Sequence, residues 1–518
     1  MNVIASIAEF LVNEILAVPA YLIGLITAIG LAALRKNLGQ IIGGGLKATL
    51  GFLLIGAGAG LVSASLEPLG IMIQGSTGAQ GVIPTNEAIA GLAQEEFGSQ
   101  VAWLMIAGFA ISLVLARFTP LRYVFLTGHH ALFMATMLTI ILASAGYNAA
   151  TTVSVGAIIL GIMMVAMPAI SQPWTRKITG DDSVAMGHFG TLGYVASGAV
   201  GRFTGKKSDS TEQLKLPAGL QFLRDSMVAT ALSMVIMYII MAVIFLYTAG
   251  QEEAFLAFDA EVTGIGNYIM MSVTEGLQFG VAVAVILFGV RTVLGELVPA
   301  FQGIASKIVP GAVPALDCPI VFPYAQNAVL VGFIGSFAGG LLGLVLLSLW
   351  LSPAFGAALI LPGLVPHFFT GGAAGVYGNA TGGRRGAILG GLTNGFIITM
   401  LPAFLIRVLG NFQDANTTFG DADFGWLGLL VGSASNLGGT AGLTLILLCG
   451  AVILATAWLV QIKVVATGWD PASWRQEANK DTMTNANSSI PQQSRIKSAK
   501  VAPPQGAPRP PAKIDWDS

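Results

Sequence analysis

Asp317 stands in the stretch PGAVPALDCPIVFPYAQNAVLVGFIGS, a carboxylate set among Pro310, Pro314, Pro319 and Pro323 and flanked by long apolar runs. Proline inside regular helix removes a backbone hydrogen bond and clashes with the preceding turn, so this segment reads as interrupted backbone. A charge at bilayer depth costs about 2.5–3.5 kcal/mol on insertion scales and persists mainly where it faces a cavity, a substrate or a partner. Such a carboxylate can hold the hydroxyls of a solute, and within hydrogen-bond reach it can orient or deprotonate one of them. The four histidines His129, His130, His188 and His367 all lie in broken or Gly-flanked apolar segments, and Glu87 lies in the polar break PTNEAIAG. For Asp317 the structural alternative is a carboxylate satisfied by half-helix amides; for Glu87 it is an acid in a first turn behind Thr85 as N-cap. His130 and His367 read equally as helix-end histidines bonded to a carbonyl. HEXXH is absent and no helix carries a His-His or His-carboxylate ligand spacing, so neither a metal nor a cofactor is expected. Arg291 and Glu296 read as a structural interhelical pair.

The elements that position these groups must be membrane elements. Of 518 residues, 54% are hydrophobic and 10% charged, with 66 glycines and a mean hydropathy of +0.76, a composition that excludes a soluble globular protein. A formal net charge of −1 offers no basic field for nucleic acid. Cys318 and Cys449 form no CxxC pair and no disulfide framework. Apolar runs predict spanning helices near 15–34, 48–68, 101–117, 153–170, 226–249, 267–290, 327–350, 386–408 and 441–462. The Gly-, Pro- and polar-rich segments near 123–147, 183–200, 296–325, 354–380 and 425–438 read as half-helices and re-entrant loops. The glycine strings at 56–60 and 371–375 read as close helix packing, since no GxxxxGK[ST] is present.

Basic residues gather at Arg35, Lys36 and Lys47, at Arg117 and Arg122, and at Arg202, Lys206, Lys207, Lys215 and Arg224, which the positive-inside rule makes cytoplasmic. Glu95, Glu96, Glu252, Glu253, Asp259, Glu261, Asp414, Asp421 and Asp423 are then expected in outward loops. The alternation puts the N-terminus outside, the C-terminus inside and the loop 201–225 in the cytoplasm. Glu9 and Glu14 and the lack of a basic start argue against a cleaved signal peptide. The basic turn Gly382-Gly383-Arg384-Arg385 reads as a topology anchor. The loop at 201–225 divides the chain into a first membrane part, 1–200, and a second, 226–463, which echo one another. KATLG from Lys47 parallels RTVLG from Arg291, PTNEAIAG parallels ALDCP, and LTGHH with His129 parallels VPHFF with His367. Paired broken segments of this kind mark transporter sites at a repeat interface. The polar, Pro- and Ser-rich 464–518 reads as a mostly disordered tail.

LRKNLGQII, FLTGHH, GKKSDSTEQLKLP, GELVPAFQGIASKIVPGAVPALDC, AQNAVLVGF and LPGLVPHFF resemble the ascorbate-specific enzyme IIC component family of the bacterial phosphotransferase system. The resemblance runs from the first helix to about Lys463 and is most specific over 291–334. It implies an all-α polytopic fold of about eleven membrane segments, two inverted repeats, a substrate-holding core domain and a V-shaped dimerisation domain. It also implies a homodimer in the bacterial inner membrane, served by cytoplasmic IIA and IIB proteins, with IIB supplying the phosphoryl group from its own cysteine. Residue by residue, the family's substrate histidines fall on His129 and His188 and its substrate aspartate on Asp317. Where its ascorbate carriers have Thr-Tyr, this chain has Asn86-Glu87; their two glutamines fall on Phe133 and Phe189.

The expected function is therefore uptake of ascorbate or a related sugar acid, with phosphorylation by a separate IIB subunit. Asn86, Glu87, His129, Phe133, His188, Phe189 and Asp317 form the expected site, and Asp317 or Glu87 is the candidate base. An ion-coupled secondary transporter using Asp317 and Glu87, or a sensor signalling through the tail, are the alternatives.

Overall fold

The computed structural model describes residues 18–78, 81–206, 209–213, 226–258 and 261–472. Glu9, Glu14, Lys207, Lys215, Arg224, Asp259 and the tail from 473 lie outside the described residues. Met1–Pro471 forms one unit and Ala472–Ser518 another, of which only Ala472 is described.

In chain order the elements are α1 (Pro19–Ala33), α2 (Leu38–Thr77), β1 (Gly81–Pro84), α3 (Asn86–Phe118), β2 (Tyr123–Phe125), α4 (Gly128–Ser144), α5 (Ala149–Thr179), β3 (Ala185–Met186) and α6 (Thr191–Thr204). There follow α7 (Ser226–Ala249), α8 (Gln251–Phe255), α9 (Ile265–Ile308), β4 (Val313–Leu316), α10 (Gln326–Leu346), α11 (Ser352–Phe355), β5 (Leu359–Ile360), α12 (Leu364–Leu405), β6 (Thr417–Thr418), α13 (Ala422–Ser435) and α14 (Gly439–Val460). Among the described residues eight helices are long and apolar enough to cross a membrane. The protein is mostly helical and spans the bilayer several times, because only intrasegment hydrogen bonding satisfies a backbone in lipid.

The helices are longer than apolar runs alone predict. α2 extends from Leu38 to Thr77 through Pro68, and α3 begins at Asn86 rather than near 101. Glu95 and Glu96 consequently sit exposed on a helix rather than in an outer loop. α9 continues through Pro299 to Ile308, so the break expected from 296 begins only after it. α2 and α9 pack tightly where Gly51 faces Gly289; a Cβ at either would strike the other's carbonyl oxygen. Their charged ends meet as Lys47 Nζ donates to Glu296 Oε1 at 2.8 Å. That contact replaces the expected Arg291–Glu296 pair.

α12 is two arms, 364–382 and 384–405, folded at Gly383, whose φ of 59° and ψ of −145° no L-residue adopts easily. Both arms lie against α10. Cβ atoms at Gly332 would run into Gly371 and Gly375 on one arm, and one at Gly339 would strike Leu392 on the other. The small residues at 371–375 thus serve close packing. The basic turn is occupied by the 209–213 loop: Arg384 N donates to Asp209 O at 2.8 Å and its Nε to Ser210 O at 3.3 Å. Glu212 caps α10, accepting from Asn327 N at 3.3 Å and Ala328 N at 3.1 Å.

Among the described residues six short strands interrupt the helices, a feature that the all-α expectation lacks. They form two parallel sheets, ordered β5-β1-β6 and β2-β4-β3. Strands of two to four residues carry no readable alternation, yet their pairing satisfies backbone that is neither helical nor wet.

Candidate functional site

The strand ends converge on a cavity of about 600 Å³. After β1 come Thr85, Asn86 and Glu87; after β2, Thr127, His129, His130 and Phe133; after β3, His188; after β4, Asp317 and Cys318; after β5, Pro366 and Thr370; after β6, Gly420 and Asp421. The opposite wall is mostly apolar and comes from α7 and α9, with Met234, Phe279, Val283 and Leu287, and with Arg291 as its cation. Parallel strands place successive chain segments side by side, so residues far apart in sequence reach one chamber.

Asp317 is the hub. It is the N-cap of the 3₁₀ turn Cys318–Tyr324, with Oδ1 accepting from Cys318 N at 2.7 Å. Oδ2 lies 3.3 Å from His129 Nε2, and Oδ1 lies 3.9 Å from His188 Nε2. His188 is oriented from behind by Tyr194, whose hydroxyl is 2.8 Å from Nδ1. The side chains of Asp317 and His129 are 38% and 31% exposed, whereas that of His188 is 4% exposed. Asp317 and His129 therefore present open hydrogen-bonding capacity to the chamber, while Cys318 N and Tyr194 keep the hub in place.

Asn86 is clamped as well as cavity-facing. Its Nδ2 donates to Asp421 Oδ2 at 2.6 Å and its Oδ1 accepts from Gly420 N at 2.9 Å. Glu87 lines the cavity in the first turn of α3. Thr85 is the N-cap residue there, but its side chain makes no capping bond, contrary to expectation. Phe133 faces the cavity with its ring edge-on to His129 at 5.9 Å and His130 at 6.0 Å. Phe189 does not line the cavity: it is fully buried, stacked on Phe125 at 4.8 Å and edge-on to Phe424 at 5.9 Å. Phe189 follows His188 directly, and the backbone that turns one side chain inward sends the next into the core.

Residues 14–423 match the family described as "PTS system sugar-specific permease component". The chain belongs to this family of phosphotransferase permeases. It is similar to the ascorbate-specific PTS system EIIC component of Mycoplasma pneumoniae (strain ATCC 29342 / M129 / Subtype 1), 26% identical over 450 residues, covering 79% of this chain and 68% of the relative.

In this permease component Asp421 and Asp423, expected in an outward loop, are both buried. Asp423 caps α6: its carboxylate accepts from Thr191 N at 2.8 Å, Leu192 N at 3.0 Å and Trp426 Nε1 at 2.9 Å. Asp421 lies in the cavity wall, 3.9 Å from His130 Nδ1. Counting charges cannot separate a solvated loop acid from a buried one; the Gly420-Asp421 break between apolar residues is the signal that was available. His130 joins the cavity, whereas His367 sits outside its lining, with Nδ1 2.8 Å from Ser336 Oγ. Absence of helix-borne ligand spacing also concealed three overlapping trios with metal-compatible donor atoms: His129-His130-Asp317, His130-His188-Asp421 and His188-Asp317-Cys318. Each combines residues from two or three strand ends.

Proposed function

We propose that this permease component takes up ascorbate or a related sugar acid and presents it for phosphorylation by a separate cytoplasmic IIB protein, itself recharged by IIA. The observation that carries this reading is the hub in which Asp317 faces both His129 and His188 inside the cavity. One carboxylate and two imidazoles beside a 600 Å³ space suit a small polyhydroxylated solute. Asp317, His129 and His188 hold hydroxyls, Asn86 and Glu87 bound the same chamber, and Phe133 covers one side as an apolar face. Asp317 or Glu87 orients the accepting hydroxyl, and the phosphoryl group comes from the partner. The description of the M. pneumoniae relative as ascorbate-specific supports the same class of solute.

The strand order supports two repeats, 1–200 and 226–463. In one sheet β1 of the first half is flanked by β5 and β6 of the second; in the other, β4 of the second half is flanked by β2 and β3 of the first. Exchanging β1 with β4, β2 with β5 and β3 with β6 converts one sheet into the other. We read the repeats as inverted, with about eleven segments in a core and a V-shaped dimerisation domain, the molecule a homodimer in the inner membrane with its N-terminus outside and C-terminus cytoplasmic. The 201–225 loop and the 464–518 tail are then cytoplasmic.

The test is uptake of labelled ascorbate in cells lacking their own carrier, with and without cognate IIA and IIB. Intracellular label recovered as a phosphorylated product, and only when IIB is present, is the expected result. Accumulation of unmodified ascorbate without phosphotransferase proteins overturns the coupling; uptake of polyols in preference to ascorbate overturns the substrate.

A further inference from the structure

We infer that His130, His188 and Asp421 form a binding site for a divalent transition-metal ion of the Zn²⁺ type in the cavity wall. One donor atom from each lies within 4.8 Å of the others, and all three residues are buried. His130 Nδ1 is buried without a hydrogen-bond partner, an unsatisfied imidazole nitrogen aimed toward Asp421 Oδ2 at 3.9 Å. A buried imidazole nitrogen left unpaired is costly, and an ion bound here would satisfy His130 Nδ1. His188 Nδ1 is engaged by the Tyr194 hydroxyl at 2.8 Å, which leaves Nε2 for a ligand. Asn86 Nδ2 donates to Asp421 Oδ2 at 2.6 Å. These two contacts have the form that supports metal ligands, a hydrogen bond from behind that fixes ring tautomer or carboxylate orientation.

Two imidazoles and one carboxylate match the preference of Zn²⁺ and leave a fourth position open toward the cavity. Zinc–nitrogen and zinc–oxygen distances near 2.0–2.1 Å place tetrahedral donors about 3.4 Å apart, so each donor must draw in by less than about 1 Å. The other two trios are weaker candidates because both use Asp317, whose side chain is 38% exposed and faces His129 at 3.3 Å, whereas that of Asp421 is 4% exposed. His188 is shared with the proposed solute hub, where its Nε2 lies 3.9 Å from Asp317 Oδ1, but ion binding is independent of which solute enters and of phosphoryl coupling.

The test uses the full, untagged chain purified in detergent, stripped with chelator and titrated with Zn²⁺, then with Co²⁺ as a spectroscopic substitute. One ion per chain, a tetrahedral Co²⁺ absorption band, and at least tenfold weaker binding in both His130→Gln and Asp421→Asn are expected, with His367→Gln unchanged. Absence of saturable binding, undiminished binding in both cluster variants, or equal loss in His367→Gln overturns the site. If a cluster variant does not fold, X-ray absorption on the wild-type Zn²⁺ adduct decides: two imidazoles in the shell support the assignment, while fewer than two, or a sulfur ligand, refute it. Failure of ascorbate uptake with intact metal binding would refute the transport reading alone.

Discussion

Replacing Asp317 by Asn separates a solute-binding carboxylate from a structural one. Asp317 makes one protein hydrogen bond that a neutral side chain can retain, the cap to Cys318 N, and Asn caps a helix start about as well as Asp. The lost item is charge: the ion-pair geometry with His129 at 3.3 Å and the charge-assisted bonds that the open oxygens offer a solute. Hydrogen bonds to charged groups contribute about 1.5–3 kcal/mol against about 0.5–1.5 for neutral ones, so two solute hydroxyls together lose about 2–3 kcal/mol. At 1.4 kcal/mol per decade this weakens Kd roughly 30- to 150-fold. The His129 pair is partly open to the cavity, and exposed pairs contribute about 0–1 kcal/mol, so Tm should fall by no more than about 3 °C. Affinity by isothermal titration and melting by intrinsic fluorescence, taken on one purified preparation, check both numbers. Near-normal affinity together with a clearly lowered Tm would refute the reasoning, because a carboxylate held only to satisfy half-helix amides behaves in that way.

The two phenylalanines should part company. Phe133→Gln restores an amide to the cavity wall and is expected to change the ranking of sugar acids and polyols in a binding screen at little cost in stability, whereas Phe189→Gln buries an amide between Phe125 and Phe424 and should cost about 3–5 kcal/mol, seen as loss of folded protein. Equal behaviour of the pair would contradict their opposite orientations. Asp423→Ala removes the acceptor for two backbone donors at the start of α6 and for the Trp426 indole of α13 and should destabilise by about 3–5 kcal/mol, with Asp423→Asn intermediate in thermal melts; an unchanged Tm for Ala would show that water replaces the cap. A cysteine introduced at Ser208, in the proposed cytoplasmic loop, should react with a membrane-impermeant maleimide in inside-out vesicles and not in intact cells; the reverse pattern would invert the topology.

What was legible in the chain was the expense of its polar groups. Asp317, His129, His188, Asn86 and Glu87 stand out because each sits where apolar sequence breaks, and the structure brings all five to one cavity. Asp421 follows the same rule but groups with Asp414 and Asp423 in a stretch without Lys or Arg, where an acid that Asn86 hydrogen-bonds cannot be told from one that water solvates. The arginines beside Gly383 suggest a membrane-surface anchor, and the packing of the loop 209–213 on that turn of α12 is what the sequence does not reveal. The strands were invisible for a different reason. A two-residue strand such as Ala185–Met186 or Leu359–Ile360 has no period to detect, and its partner lies well over a hundred residues away. Those pairings explain why polar residues follow the breaks at all. Each break must leave helix to approach the cavity, its freed backbone must bond within protein at membrane depth, and parallel pairing with a segment of the other half does so in very few residues. The next helix then starts at the cavity wall, and the residues just before it or in its first turn carry the groups that line the cavity. Asp317 after β4, His188 after β3 and Asp421 after β6 are instances of one arrangement, so the short buried strand, although unreadable by itself, is the reason that the readable residues lie together.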